Sequence, residues 1–422
     1  MKRSALCRMT GWLVLSTLLL AGADWPRFLG PKGDGISEAK GLPTTWSAAS
    51  GVVWKTELPG PGASSPITTG DKVLVTAYSG YAVDPDNLGK PENLQRHVLC
   101  LERASGKVLW QKTVKASLPE QSFGGFLALH GYASSTPATD GKAVYAFFGR
   151  SGVYAFSLAG DELWHADVGS GTHNWGSAAS PILAGDLVIV NASVESGALV
   201  ALNKATGKQA WRVGGSTRSW STPALVDLPG GKQELVVSVQ DKVLGLAPAT
   251  GKELWTCDGV KDYVCPAVAV HGDVVYVTAG RKPHTVAVRA GGQGDVTKSH
   301  TVWTSDLGSK VPTPLVTNGL LYWVEQTGKV ACLAAADGSP VYQERLKLPG
   351  SGDKVYASLV LADGKLYAVT RQGGTLVLAV GKEFKELARN DLGDKSIFNA
   401  TPAISNGQLL LRSNRCLYCI GK

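Results

Sequence analysis

The stretch Ser180 to Trp211, SPILAGDLVIVNASVESGALVALNKATGKQAW, decides how the chain is read. A Ser-Pro pair opens a short apolar segment, Gly185-Asp186 marks a turn, and Leu187-Val188-Ile189-Val190 follows as an apolar run. A third apolar run reaches Ala201, Gly207 marks a second turn, and the unit closes on Trp211. Apolar β-type runs separated by Gly paired with Asp, Asn or Gly read as hairpins. One such unit supplies four short strands.

Moving outward, the same unit recurs. Turn pairs stand before apolar runs at 70–71, 140–141, 185–186, 230–231, 272–273, 318–319, 363–364 and 406–407, which gives eight hairpin signals. Upstream of most lies a Ser/Thr-Pro element: Ser65-Pro66, Thr136-Pro137, Ser180-Pro181, Thr222-Pro223, Thr313-Pro314 and Thr401-Pro402. Cys265-Pro266 is read as the same place in the fifth unit, and Ser358 stands without its proline in the seventh. Successive prolines are 71, 44, 42, 43, 48 and 88 residues apart, the last interval spanning two units. A period in the forties with several strands per unit is the signature of a propeller. A proline at the first strand residue removes no ladder donor.

The end of each unit has its own register. Cys100, Gly106 and Trp110 are spaced six and ten, as are Ala201, Gly207 and Trp211, then Gly245, Gly251 and Trp255, then Cys332, Gly338 and Tyr342. A small residue would let the neighbouring sheet approach, with the Trp covering the junction. The eighth unit stops at residue 422 without a fourth strand, while Val52-Val53-Trp54-Lys55 is a strand with no preceding three. Joining them completes blade eight and leaves no open sheet edge. The expected fold is an all-β, eight-bladed propeller of four-stranded antiparallel blades, closed by the N-terminal strand. Residues 51–422 form the ring and 24–50 an irregular leader against it.

Residues 1–23 carry Lys2, Arg3 and Arg8, the apolar run Gly11 to Leu20, then Ala21-Gly22-Ala23, the pattern of a secretory signal peptide cut after Ala23. An exported, periplasmic or extracellular protein without a transmembrane segment is expected. Three of the formal +8 charges lie in those residues, leaving +5, with no run of like charges to suggest nucleic acid.

The Ala/Cys, Gly, Trp spacing resembles the tryptophan-docking motif of the quinoprotein alcohol dehydrogenases and of the BamB-like propeller subunit of outer-membrane protein assembly. The opening Asp24-Trp25-Pro26-Arg27-Phe28-Leu29-Gly30-Pro31 is similar to that of exported PQQ-like repeat proteins. The dehydrogenase branch implies PQQ and calcium, held with a pair of adjacent disulfide-bonded cysteines and an Asp base. No two cysteines here are adjacent, Cys416 and Cys419 being the nearest pair, and no calcium ligands or base can be placed. The assembly branch implies a surface that binds protein and no cofactor.

Cys100, Cys332 and Cys419 occupy the small-residue column and read as packing groups. Cys257 and Cys265 flank one connection between blades and are a candidate disulfide. The seven histidines show no zinc spacing, so no metal site is expected. The loops entering each first strand and the turns after each second strand should share one face. Their candidate ligand-binding residues are His173, Asn174, Trp175, Arg218, Trp220, Lys261, Tyr263, Lys310, Lys354 and Arg371. Aromatic and cationic groups converging there suit an anionic, flat or peptide ligand. No catalytic set is assigned. The expected function is a monomeric, non-catalytic scaffold for a protein or envelope polymer. The alternative is a PQQ- and calcium-dependent alcohol or sugar dehydrogenase.

Overall fold

Each of the eight turn pairs forms the hairpin between the first and second strands of an antiparallel sheet in the computed structural model, which describes residues 24–279, 281–350, 352 and 354–422. At Asn318-Gly319, Asp363-Gly364 and Asn406-Gly407 both residues have positive φ, near 50° and 70°, as a type I′ turn requires. Eight sheets result, and the chain is an eight-bladed β-propeller. The third blade is typical: Ile182–Ala184, Leu187–Ala192, Ala198–Asn203 and Gln209–Gly214 pair in sequence order. The expected signal peptide lies outside the described residues. No helix among the described residues is long and apolar enough to cross a membrane.

The last blade joins the two ends of the chain. Ala403–Ser405, Gln408–Arg412 and Cys416–Ile420 receive Val52–Glu57 as their fourth strand, antiparallel, with Trp54 opposite Cys419.

The Trp seam repeats around the ring. Cys100 lies opposite Trp110, Ala155 opposite Trp164, Ala201 opposite Trp211 and Ala287 opposite Trp303. Each small residue thus makes room for the Trp of its own blade, a correction to the expectation that it admits the neighbouring sheet. The neighbour is met by the glycine instead: a Cβ on Gly106 would lie 2.4 Å from Trp54, and one on Gly207 2.7 Å from Trp164. Every indole N–H of this type finds an acceptor. Trp54, Trp110, Trp164, Trp211 and Trp303 donate to the carbonyls of Arg103, Leu158, Lys204, Pro248 and Ala335 on the following blade, at 2.7–3.0 Å.

Two sheets carry a fifth strand. Gly294–Asp295, from the long link in blade five, adds parallel to Glu253–Asp258 of blade four. Ile36–Ser37 of the leader adds parallel to Val360–Ala362 of blade seven. The rest of the leader runs from the hairpin face, at Thr68, to the opposite end of blade seven, at Asn390. Trp25, 1% exposed, donates its backbone N–H to Thr68 Oγ1 at 2.8 Å, and Trp46 donates its backbone N–H to Asn390 Oδ1 at 2.8 Å. Cys257 and Cys265 are both free, so the candidate disulfide is absent; Cys257 Sγ lies 3.4 Å from Thr301 Oγ1.

Candidate functional site

The first strands all begin around the propeller axis, and the residue two positions before most of them is Ser or Thr. These hydroxyls form a belt. Ser65 donates its backbone N–H to Thr136 Oγ1, Thr136 to Ser180 Oγ, and Ser180 to Thr222 Oγ1, at 2.9–3.0 Å. Across the ring Ala267 donates to Thr313 Oγ1, Thr313 to Ser358 Oγ and Ser358 to Thr401 Oγ1, at 2.9–3.0 Å. The fifth unit therefore uses Ala267, not Cys265, at this position, because its strand starts two residues later than the proline suggests. Alanine has no hydroxyl, and there the belt is broken.

Above the belt the connecting loops close around a cavity of about 150 Å³. Trp175 enters from the link between blades two and three, Trp220 from the next, Tyr263 from the next and Lys310 from the one after. All four line the cavity. Trp175 sits 4.9 Å from Trp220 and edge-on to Tyr263 at 4.3 Å between ring centroids. Offset and edge contacts of this kind hold aromatic groups rigidly. Trp220 donates its indole N–H to the Gly176 carbonyl at 2.7 Å, tying two loops together. Phe28 of the leader also lines the cavity.

A long link between blades one and two spans the opening. Its Phe126 packs edge-on to Trp175 at 5.1 Å and lies 4.8 Å below Lys310 Nζ, which comes from the opposite side of the ring. His130, at the end of the short helix Leu127–His130, places Nε2 2.7 Å from the Trp175 carbonyl and Nδ1 2.5 Å from Ser134 Oγ. A carbonyl only accepts, so Nε2 carries the proton. Burial lowers the pKa of this imidazole and keeps it neutral. Asn399 donates to the Leu129 carbonyl at 2.5 Å, which fixes the other end of the link.

The other expected residues sit around this centre. His173 is at the rim, edge-on to Trp175 and Trp220 at 5.4 and 4.9 Å, and burial followed by the nearby Arg218 lowers its pKa. Asn174, Arg218 and Lys261 are exposed and do not line the cavity. Lys354 turns back to donate to the Leu348 carbonyl at 3.1 Å. Arg371 stands behind the wall, over the Tyr356 ring at 5.1 Å and donating to Asn399 Oδ1 at 3.0 Å; Tyr356 and Asn399 themselves line the cavity. The belt hydroxyls, Phe28 and Cys265 escaped the sequence reading. Burial pushes the Cys265 thiol up to about 12, which leaves it protonated and unreactive.

The family described as outer membrane protein assembly factor BamB matches residues 92–220 and 195–413. The chain belongs to that family. Among solved structures it resembles BamB from Moraxella catarrhalis, with 13% identity, 86% of this chain and 97% of that chain covered, and a TM-score of 0.61. It resembles a europium-containing methanol dehydrogenase about as well, with 12% identity, 95% and 98% covered, and a TM-score of 0.61. The computationally designed Ika8 protein follows at 11% identity, 88% and 100% covered, and a TM-score of 0.58. At such identities the likeness establishes the fold alone. No curated protein matches the chain.

The resemblance of the Trp motif to that of the quinoprotein dehydrogenases raises the question of a quinone with calcium. Among the described residues no carboxylate lines the cavity, and no three His, Cys, Asp or Glu side chains are grouped to hold a metal ion. Calcium takes hard oxygen ligands, usually including carboxylates. The residues present do not fit the calcium ion.

Proposed function

We propose that this chain is an exported, non-catalytic propeller that binds a protein or an envelope polymer through its loop face. The observation that carries this reading is the rigid Trp175, Trp220 and Tyr263 cluster at the mouth, framed by Lys310 and without a carboxylate among the described lining residues. Aromatic anchors held by neighbours lose little entropy on binding and are the residue types that dominate interfaces. Membership of a family described by an assembly factor agrees with it. A propeller also supplies what such a role needs, a stiff frame that presents loops.

The test is capture from an envelope extract by immobilised chain from residue 24 onward. Trp175→Ala is compared with Leu163→Ala, a substitution at an exposed outer-strand residue, 52% exposed. The wild type and Leu163→Ala should retain the same partner, and Trp175→Ala should lose it while keeping its melting temperature. Equal retention by all three overturns the reading.

A further inference from the structure

The belt around the axis has hydroxyl protons to spare. Its six accepting hydroxyls each use a lone pair on a backbone N–H of the neighbouring blade. Among the described residues none of the six has an acceptor for its own proton, and the buried Ser65 Oγ has no partner of any kind. All seven line the cavity. A hydroxyl that has accepted still carries a proton to donate, and a buried donor without an acceptor costs free energy. The wall therefore offers these protons to whatever occupies the cavity, water or a ligand.

The charge and the shape of the cavity narrow that acceptor. Lys310 stands at the mouth beside Thr313, and no carboxylate among the described lining residues competes for it. The aromatic wall comes from the loops between blades two and five, while Thr313 and Ser358 open blades six and seven. Hydroxyls line the cavity all round the axis, from Thr136, Ser180 and Thr222 in the blades next to the aromatic loops to Thr313 and Ser358, so Lys310, the lysine among the described lining residues, sets where an anion would sit.

We propose that the channel is a receptor for a carboxylate, whose oxygens face Lys310, Thr313 and Ser358 while its apolar body lies against Trp175 and Trp220. An ionised carboxylate only accepts, which suits a wall whose hydroxyl protons are unpaired, and charge-assisted hydrogen bonds are the stronger kind. A free small acid and the carboxyl end of a longer chain entering through the mouth share this chemistry. The inference rests on the reading of the loop face as the binding face, and its failure is separable from that reading.

Tryptophan fluorescence of the purified chain, titrated with 3-phenylpropionate, its amide, inorganic phosphate and a tetrapeptide ending in a free or amidated Phe, tests it. The acid should quench saturably, with the amide and phosphate weaker by about tenfold. Ala267→Ser adds the missing hydroxyl without removing a bond and should tighten the acid by about threefold. Lys310→Met should weaken it by about tenfold at unchanged melting temperature. Tighter binding of the free-ended peptide than of the acid assigns the site to a chain end, and the reverse order to a small acid. Acid and amide binding alike, phosphate binding as well as the acid, or no saturable quench overturns the proposal. No carboxylate binding alongside intact Trp175-dependent partner capture condemns the belt alone, and the opposite pair of results condemns the loop platform alone.

Discussion

Trp255 donates its indole N–H to Glu234 Oε2 at 2.7 Å within its own blade, whereas the tryptophans of five other seams reach a carbonyl of the next blade. The same carboxylate oxygen accepts the Gly291 N–H at 3.0 Å. The extended link of blade five lays Gly294–Asp295 beside this strand and covers Trp255 completely, so the side chain needs a buried acceptor in place of the missing carbonyl. Glu234→Ala leaves two donors unpaired and should cost about 2–4 kcal/mol in urea unfolding. Glu234→Gln keeps an oxygen there and should cost less; equal losses would contradict the role.

Gly106 and Gly185 separate the two reasons for a glycine. Both have positive φ, 71° and 54°. A Cβ on Gly185 meets nothing within 4 Å, but one on Gly106 lies 2.4 Å from the Trp54 ring that closes the propeller. Gly185→Ala should lose about 1 kcal/mol from backbone strain alone. Gly106→Ala should lose about 3 kcal/mol, since the Trp54 seam must also shift. Chemical denaturation of the two variants side by side checks the difference.

Glu195 links pH to the Trp175 loop. It is 4% exposed on the short helix Ser193–Ser196, accepts a hydrogen bond from Ser177 two residues after Trp175, and is raised by burial to about 7. An acid raised in the folded state contributes its full stability below its unfolded value near 4.5 and loses it as pH climbs to about 7. Between those values the native state holds the extra proton, so stability falls with rising pH, by on the order of 3 kcal/mol from this group. Glu195→Gln should flatten that segment of the melting-temperature profile. An unchanged slope would remove Glu195 from the account.

The cysteines should behave as core residues. Burial pushes Cys100, Cys265 and Cys419 up to about 12 and Cys332 up to about 11, and it also raises Cys257 and Cys416. Thiolates carry the reactivity, so thiol titration at pH 8 of the chain from residue 24 onward should find almost none when folded and six after denaturation. Fast labelling of Cys416 or Cys419 in the folded chain would revive a redox reading of that pair.

The ring was legible because its signals are local and repeated: turn pairs, Trp spacing, and two chain ends that complement each other at Trp54 and Cys419. Loop membership of Trp175, Trp220, Tyr263 and Lys310 followed from the same period. Side-chain direction did not, since period says which loop a residue occupies and nothing of its rotamer. Arg218 and Lys261 therefore point to solvent, and Lys354 folds back on Leu348. The belt is visible as recurring Ser/Thr before Pro, but its bonds join residues 42–71 positions apart, and a proline at a strand start accounts for the element without them. The two-residue strand Gly294–Asp295 and the cavity-facing Phe28 are single events with no repeat to announce them.

The most direct test of a non-catalytic binding propeller is calorimetric titration of the purified chain with PQQ, with and without calcium. The account predicts no calcium-dependent heat, because no carboxylate among the described residues lines the cavity to hold the ion. Stoichiometric binding that appears only with calcium would contradict it and favour a quinone-dependent dehydrogenase.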